Sequence, residues 1–161
     1  MDEACRPGGL TMPTLMVEPG RFIAADAGFL VTRVHAIKNG YKEFVGVDAG
    51  MNDLPRPSVY GAYHHISVLG KPSSPSDRSV NVVGRLCENN DQFARDRLLP
   101  PIDVGDTLVI HNAGAHCYAM SHTYNGRTRC AEYLLTAQGE FRPIRRAETI
   151  DDLFRTVVPF R

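Results

Sequence analysis

Residues 29–47 read FLVTRVHAIKNGYKEFVGV, and this stretch decides which kind of fold the chain adopts. Its two ends, residues 29–34 and 41–47, are rich in the β-branched and aromatic residues that are typical of strands. Between them stands Asn39-Gly40, a dipeptide favoured in tight hairpin turns because both residues tolerate a positive φ. The stretch therefore predicts a β-hairpin.

Further strands are predicted on both sides of this hairpin. The candidates are residues 63–69, 80–84, 107–111 and 131–136, which are separated by turns containing Gly and Pro. Several short strands divided by such turns indicate an all-β barrel or sandwich. Residues 15–17 are a short apolar run that stops at Pro19-Gly20, which predicts a strand-to-loop junction. Residues 148–154 predict a helix, because an acidic first turn precedes apolar residues at helical spacing.

Composition limits the classes of function. The 161 residues carry 18 basic and 18 acidic side chains, so nothing suggests a nucleic-acid or membrane-surface partner. No apolar run approaches the roughly 20 residues of a membrane helix, and no N-terminal segment has the pattern of a signal peptide. The cysteines, at positions 5, 87, 117 and 130, favour reduced thiols in a cytoplasmic protein over a disulfide pair. Neither they nor the histidines have the spacing of metal ligands, so no metal site is predicted.

Motifs carry the interpretation further than composition does. In chain order they are EPGR at 18–21, VDAGMND at 47–53, RP at 56–57 with Tyr60, GRLCENND at 84–91, Gly105-Asp106, Gly114-Ala115 and Tyr124-Asn125. In this order and at this spacing, the set resembles the C-terminal part of the pyridoxal-phosphate-dependent ornithine, diaminopimelate and arginine decarboxylases. The resemblance is strongest to the diaminopimelate decarboxylases, and it covers nearly all of residues 17–155.

The resemblance implies a two-domain enzyme of which this chain carries the second part. In the family, a (β/α)8 barrel supplies the lysine that binds pyridoxal 5'-phosphate, and a Greek-key-like β-barrel follows it. Residues 1–25 would then be a remnant of the end of the first barrel, and residues 26–161 the C-terminal β-barrel domain with its short C-terminal helix. Only three lysines are present. Lys38 stands in a stretch that imitates the family's lysine motif but falls where the family has a strand and a turn, so the chain alone is expected to be inactive.

The resemblance also assigns residues to the cofactor. Glu18 would face the pyridine nitrogen, and Pro19 belongs to the same turn. Gly20 would let the backbone approach the phosphate, and Arg21 would offer donors to the phosphate or to the substrate carboxylate. His116 stands where the family often has a tyrosine that contacts the cofactor. An imidazole can also donate to a phosphate, and an ordinary loop histidine is the alternative.

A second set of residues would bind and convert the substrate. Arg56 and Tyr60 resemble the pair that holds the far end of the substrate, where a guanidinium suits a distal carboxylate, and Arg21 can share this task. Cys87 resembles the catalytic cysteine, which acts across a dimer interface as the proton donor after carbon dioxide has left. A thiol with a pKa near about 8.5 can give and regain a proton near neutral pH. Glu88, which is Asp in ornithine-type enzymes, favours diaminopimelate.

The resemblance thus predicts decarboxylation of meso-2,6-diaminopimelate to L-lysine and carbon dioxide, a step of lysine biosynthesis, by a cytoplasmic homodimer. A related amino-acid or carboxynorspermidine decarboxylase is one alternative. A non-catalytic decarboxylase-like domain that binds a decarboxylase partner is another. Cys87, Glu88 and Arg56 argue against the binding domain, and the missing lysine argues for it or for a truncated chain. Without a barrel, the chain is expected to expose strand edges and apolar surface and to leave residues 1–16 displaced or poorly ordered.

Overall fold

The structure, a computed structural model, describes residues 13–159. In chain order the helices and strands are α1 (Gly20–Ala24), β1 (Leu30–Asn39), β2 (Glu43–Val47), α2 (Arg56–Tyr60), β3 (Ile66–Val68), β4 (Arg78–Val83), β5 (Gln92–Leu99), β6 (Thr107–Ile110), β7 (Glu132–Leu135), β8 (Phe141–Arg145) and α3 (Ile150–Phe154). The expectations for Cys5 and for residues 1–12 lie outside the described residues. No helix in the described part of the chain is long and apolar enough to cross a membrane.

The predicted hairpin is present as β1 and β2. The two strands are antiparallel, and their pairing runs from Val34 opposite Val47 to Asn39 opposite Glu43, beside the Asn39-Gly40 turn. Along the first half of β1, buried Leu30, Thr32 and Val34 alternate with exposed neighbours. This alternation is the period of a strand with one face in a core.

Six strands form a single sheet in the order β3-β6-β1-β2-β4-β5. All neighbours are antiparallel except β2 and β4, which are parallel because the chain passes through α2 and β3 between them. The two edge strands, β3 and β5, contact each other. Arg97 of β5 also donates from Nη1 to the carbonyl of His64, just before β3, at 3.0 Å. The sheet is therefore nearly closed, which confirms the predicted all-β, barrel-like fold.

The core lies inside this sheet. Every strand of the sheet contributes apolar side chains to it, among them Leu30, Val45, Ile66, Val82, Phe93, Leu108 and Ile110. Val45, Val82, Leu108 and Ile110 are fully buried. The interior is thus filled by side chains, and candidate functional groups have to lie on the loops and at the rim.

Some predictions of secondary structure are wrong or incomplete. Residues 15–17 have no regular structure and are exposed, because no strand among the described residues pairs with their backbone groups. Strand β5 escapes sequence analysis because the charged residues 95–97 interrupt its alternation. Helices α1 and α2 have five residues each, too few to show a helical period.

The C-terminal elements lie apart from the main sheet. The predicted helix is present as α3, and Thr149 and Asp152 cap its start reciprocally. Strands β7 and β8 form a separate two-stranded hairpin. This hairpin exposes Tyr133, Leu134 and Phe141, so it presents apolar surface of the kind that the sequence predicts.

Candidate active site

The start of α2 places an arginine in a buried position. Arg56 has only 9% of its surface exposed, although its guanidinium is charged at any physiological pH. Its Nη1 lies 3.3 Å from Nε2 of His64. Within residues 13–159 no carboxylate forms a salt bridge with Arg56. Its positive charge is therefore left without a protein counter-ion in the part of the chain that the structure describes.

Two other predicted substrate residues act on the pKa of Arg56. Burial lowers the pKa of the Arg56 guanidinium, the positive charge of Arg21 lowers it further, and Tyr60 acts in the opposite direction. Arg21 lies on α1 and Tyr60 at the end of α2, and both are exposed. The structure thus brings Arg21, Arg56 and Tyr60 into one cluster, called the arginine cluster below. Two guanidinium groups near enough for one to lower the pKa of the other are suited to an anionic ligand.

His64 belongs to this cluster, and sequence analysis assigns it no role. Its ring is fully buried, and Nδ1 lies 2.8 Å from the carbonyl oxygen of His111. Burial lowers the pKa of His64, the hydrogen bond to the His111 carbonyl raises it, and the charges of Arg56 and Arg21 lower it again. The net direction is downward, so the imidazole is neutral at neutral pH. A single buried histidine eight residues from an arginine leaves no signal in the sequence.

A close backbone contact positions α1 beside the loop that carries His116. Gly114 donates its N–H to the carbonyl of Ala25 at 2.9 Å, and a Cβ at Gly114 would collide with the carbonyl oxygen of Ala24. Glycine at 114 is therefore required by space. As a result Gly20 faces His116, whose Cε1 would be the nearest atom, at 4.0 Å, to a Cβ at position 20. The missing side chain leaves a gap between the two residues.

The other residues predicted to bind the cofactor lie at the start of α1. Gly20 donates its N–H to the carbonyl of Glu18 at 2.9 Å, and Ile23 donates to the carbonyl of Pro19 at 3.3 Å. Glu18, Arg21 and His116 are exposed. A glycine gap beside an imidazole and a guanidinium fits the phosphate end of pyridoxal phosphate, since both side chains donate to phosphate oxygens.

The lysines of the chain lie elsewhere. Lys38 pairs with Phe44 at the hairpin end of β1. Lys42 forms an ion pair with Asp96, and Lys71 forms ion pairs with Asp103 and Asp106. The described residues therefore fit the rim of a cofactor site and contain no lysine placed to bind the cofactor covalently.

A buried carboxylate joins the two loops that carry the strongest motifs. Asp91 accepts hydrogen bonds from the N–H groups of Met51 and Leu86, each at 2.6 Å. A Cβ at Gly84 would collide with this carboxylate, so the loop closes around it only with glycine there. Burial raises the pKa of Asp91, while the two N–H groups act in the opposite direction. Residues 48–53 and 84–91 are in this way held together as one unit.

The predicted catalytic residue Cys87 and the predicted substrate-binding residue Glu88 lie on this unit. Cys87 is exposed, and Glu88 is partly buried and accepts the N–H of Asn90 at 3.1 Å. No hydrogen bond or ion pair within residues 13–159 connects either side chain to Arg21 or Arg56. The structure therefore presents the predicted residues as two separate groups.

The three cysteines of the described region differ in environment, and all are free thiols. Burial raises the pKa of Cys117 to about 12 and that of Cys130 to about 11. Cys117 also donates to the carbonyl of Asp53 at 3.2 Å. Both thiols keep their protons near neutral pH, whereas Cys87 is accessible. No group of three or more possible metal ligands occurs in the described part of the chain.

A cleft lies near these residues. Its volume is about 340 Å³, and its lining includes Pro57, Ser58, Tyr63, Asn90, Arg95 and Arg97. It borders both the segment after Arg56 and the segment after Glu88, but none of the predicted site residues lines it.

Comparison with known proteins places this geometry in a family. A family model described as "Pyridoxal-dependent decarboxylase, C-terminal sheet domain" matches residues 21–114. The diaminopimelate decarboxylase of Methanothermobacter thermautotrophicus is 49% identical over 147 residues, which are 91% of this chain and 34% of that protein. Protein TabA of Pseudomonas amygdali pv. tabaci is 50% identical over 140 residues, 87% of this chain and 33% of that protein.

Solved structures agree with these matches. Diaminopimelate decarboxylase from M. jannaschii, in co-complex with L-lysine, is similar with a TM-score of 0.80 at 39% identity, covering 98% of this chain and 36% of that one. The chain thus spans about a third of the length of the relatives that it matches.

Replacing Asp91 should destabilise the chain. Asp91→Ala leaves the N–H groups of Met51 and Leu86 without their acceptor, and we expect a loss of about 2–3 kcal/mol in the free energy of unfolding. Urea unfolding followed by circular dichroism measures it. Asp77→Ala, the same change at an exposed turn position, is the control and should cost less than about 0.5 kcal/mol. Equal unfolding midpoints for the two variants would contradict the role of Asp91.

Acid should destabilise the chain through His64. The unfolded state binds a proton at His64 below about pH 6.5, whereas the folded state resists protonation because the ring is buried and faces Arg56 and Arg21. The unfolded state therefore binds more protons. The free energy of unfolding decreases as the pH is lowered, by at most about 1.4 kcal/mol per pH unit for this group. The loss starts near pH 6.5 and ends once the pH has fallen through the folded-state pKa.

Urea midpoints at pH 7.0 and 5.5 measure this effect. His64→Gln should reduce the difference between the two midpoints, because glutamine does not titrate. His35→Gln, at an exposed position of β1, should leave it unchanged. The pKa of His111 is also lowered, by burial and by His65, and both of these residues are present in all three proteins. An equal difference in wild type and His64→Gln would show that His64 is not the titrating group.

Proposed function

The chain belongs to the pyridoxal-dependent decarboxylases, as part of their C-terminal sheet domain, and from this premise we propose that it functions within a diaminopimelate decarboxylase. Membership of the family confirms the resemblance that the motifs indicate. The proposed reaction converts meso-2,6-diaminopimelate to L-lysine and carbon dioxide. Because the chain spans about a third of its relatives, we assign the reaction to a longer protein or assembly, called the full-length enzyme below.

The observation that carries the proposal is the buried Arg56, whose guanidinium forms no ion pair within residues 13–159. A buried charge is costly unless it is paired. The distal carboxylate of diaminopimelate would pair with it and could accept two parallel hydrogen bonds. Ornithine, arginine and carboxynorspermidine have only the carboxylate that is lost, so the distal end of any of them would leave Arg56 unpaired. Arg56 therefore favours diaminopimelate among the substrates of the family.

The cofactor follows from the family. Pyridoxal phosphate, when bound, draws the electrons of the breaking Cα–carboxylate bond into its ring. We propose that Arg21 and His116 hold its phosphate beside Gly20, and that Glu18 hydrogen-bonds its ring nitrogen. Pro19 fixes the turn between Glu18 and Gly20. The covalent lysine is assigned to the part of the full-length enzyme outside this chain.

Cys87 is the proposed proton donor to the substrate carbon that has lost carbon dioxide. Cys117 and Cys130 are unsuited, since burial holds their pKa values at about 12 and about 11. Cys87 is exposed at the tip of a loop that Asp91 keeps in shape. Glu88 beside it is proposed to bind the distal amino group of the substrate, where a carboxylate can form a charge-assisted hydrogen bond.

The separation of the two groups supports a shared site. Within the described residues, Cys87 and Glu88 form no hydrogen bond or ion pair with the arginine cluster, so a single copy does not link the two groups directly. We propose that the Cys87 loop of one copy completes the arginine cluster of another in a two-fold homodimer, in which each interface contact occurs twice. A non-catalytic binding domain, the alternative, would not require an accessible thiol at position 87.

The activity itself gives the first test. The full-length enzyme should release carbon dioxide from meso-diaminopimelate, and the 161-residue chain with added pyridoxal phosphate should not, because it has no suitably placed lysine. Labelled carbon dioxide measures turnover, and borohydride reduction followed by peptide mass mapping detects a covalent cofactor. Lys38→Arg serves as the control and should behave as the wild-type chain. Turnover by the chain alone, or a reduced adduct on Lys38, would contradict the proposal.

The second test concerns specificity. In the full-length enzyme, Glu88→Asp should lower kcat/KM for diaminopimelate on the order of 10²-fold, because a shorter side chain loses a charge-assisted hydrogen bond. The urea midpoint should stay close to that of the wild type. Glu140→Asp, an exposed change in the turn between β7 and β8, is the matched control and should leave the kinetics unaltered. Unaltered kinetics in Glu88→Asp would remove Glu88 from the site.

A further inference from the structure

His64 is held so that only one of its ring nitrogens can face Arg56 as an acceptor. Its Nδ1 lies 2.8 Å from the carbonyl oxygen of His111, which can only accept, so Nδ1 carries the proton. In the neutral ring the other nitrogen, Nε2, then has a lone pair. That nitrogen lies 3.3 Å from Nη1 of Arg56, which donates to it.

The burial of the ring and the charges near it favour this neutral form. Arg56 of α2 and Arg21 of α1 are the charges that act on it, and the His111 carbonyl at the end of β6 is its other polar neighbour. Arg97 of β5 donates to the backbone carbonyl of His64, away from the ring nitrogens. No carboxylate among residues 13–159 hydrogen-bonds the ring. A protonated ring would lose its acceptor and place a third positive charge beside two guanidinium groups.

A neutral acceptor is the kind of group that a ligand-binding arginine requires. A carboxylate at this position would form an ion pair with Arg56 and compete with an incoming anion. An apolar side chain would leave Nη1 without a partner in a buried setting. His64 occupies one of the five donors of the guanidinium and leaves its full positive charge available.

We propose that His64 is a positioning residue for substrate binding: its imidazole fixes the Arg56 guanidinium so that the remaining N–H groups face the distal carboxylate of the substrate. The inference rests on the proposed function, which supplies that carboxylate. His111, whose carbonyl accepts the hydrogen bond from His64, is itself held in place by other side chains. Its Nε2 lies 2.8 Å from Oγ of Ser67, and its ring packs edge-on against Phe29 and His65. The orientation of Arg56 thus depends on the pairing of β3 with β6.

The kinetic test uses the full-length enzyme and two variants of His64. His64→Phe keeps an aromatic ring but has no acceptor, and it should raise KM for meso-diaminopimelate about tenfold to hundredfold while kcat changes less than about threefold. His64→Gln retains an acceptor and should stay within about threefold of wild type. L-Lysine keeps the distal carboxylate of the substrate as its only carboxylate, so inhibition by L-lysine should weaken in His64→Phe about as much as KM rises. Inhibition by cadaverine, which has no carboxylate, should change less than about threefold in both variants. His35→Phe, at an exposed position of β1, is the control and should match the wild type.

A second measurement does not depend on turnover. Long-range ¹H–¹⁵N spectra of the chain labelled at histidine show which ring nitrogen carries the proton, and we expect a neutral ring protonated at Nδ1. This measurement tests the proposal even if His64→Phe fails to fold. A proton on Nε2 at pH 7, an unchanged KM in folded His64→Phe, a KM for His64→Gln raised as far as that for His64→Phe, or an equal loss of inhibition by L-lysine and by cadaverine would each overturn it. A wild-type enzyme without activity on diaminopimelate would instead refute the proposed function.

Discussion

The carboxylate of Asp91 is the interaction on which the loops at the rim of the barrel depend. It is buried, and its two oxygens accept hydrogen bonds from two backbone N–H groups at 2.6 Å, those of Met51 and Leu86. Burial and hydrogen bonding therefore act against each other on its pKa. Gly84 is required because no side chain fits beside the carboxylate. One anchor thus fixes both the loop that leads into α2 and the loop that presents Cys87.

Arg56 shows the opposite arrangement, a buried charge whose partner the described residues do not supply. Its only hydrogen bond to a side chain there is with a neutral imidazole. Structural ion pairs elsewhere in the chain, such as Lys71 with Asp103 and Asp106, are complete and lie near the surface. A buried guanidinium without a counter-ion adds no stability, and under the proposed function the ligand offsets its cost. This is why the arginine cluster, more than the cleft beside it, defines the proposed site.

The sequence predicts the hairpin, the barrel class and the identity of most candidate residues, and the reasons are local. Asn39-Gly40 predicts a turn between two strands. The alternation of buried and exposed residues in β1 reflects one buried face. The roles of His64 and Asp91 could not be predicted, because their partners come from distant segments. His64 meets the carbonyl of His111 only after β3 has paired with β6, and Asp91 meets Met51 across 40 residues. Strand β5, at an edge of the sheet, could not be predicted either, because its central residues 95–97 are charged.

Near the arginine cluster, apolar side chains are exposed and a charged side chain is buried. Helix α1, which carries Arg21, buries none of its residues and exposes Phe22 and Ile23, whereas Arg56 beside it is buried. Apolar side chains in water are costly, and a patch of them favours contact with further protein. Under the proposed function, the barrel of the full-length enzyme would cover this surface. Covering it would also exclude water from the cluster, and a guanidinium attracts a carboxylate more strongly where the local dielectric constant is low. The same contact would then stabilise the domain and strengthen its binding of the substrate.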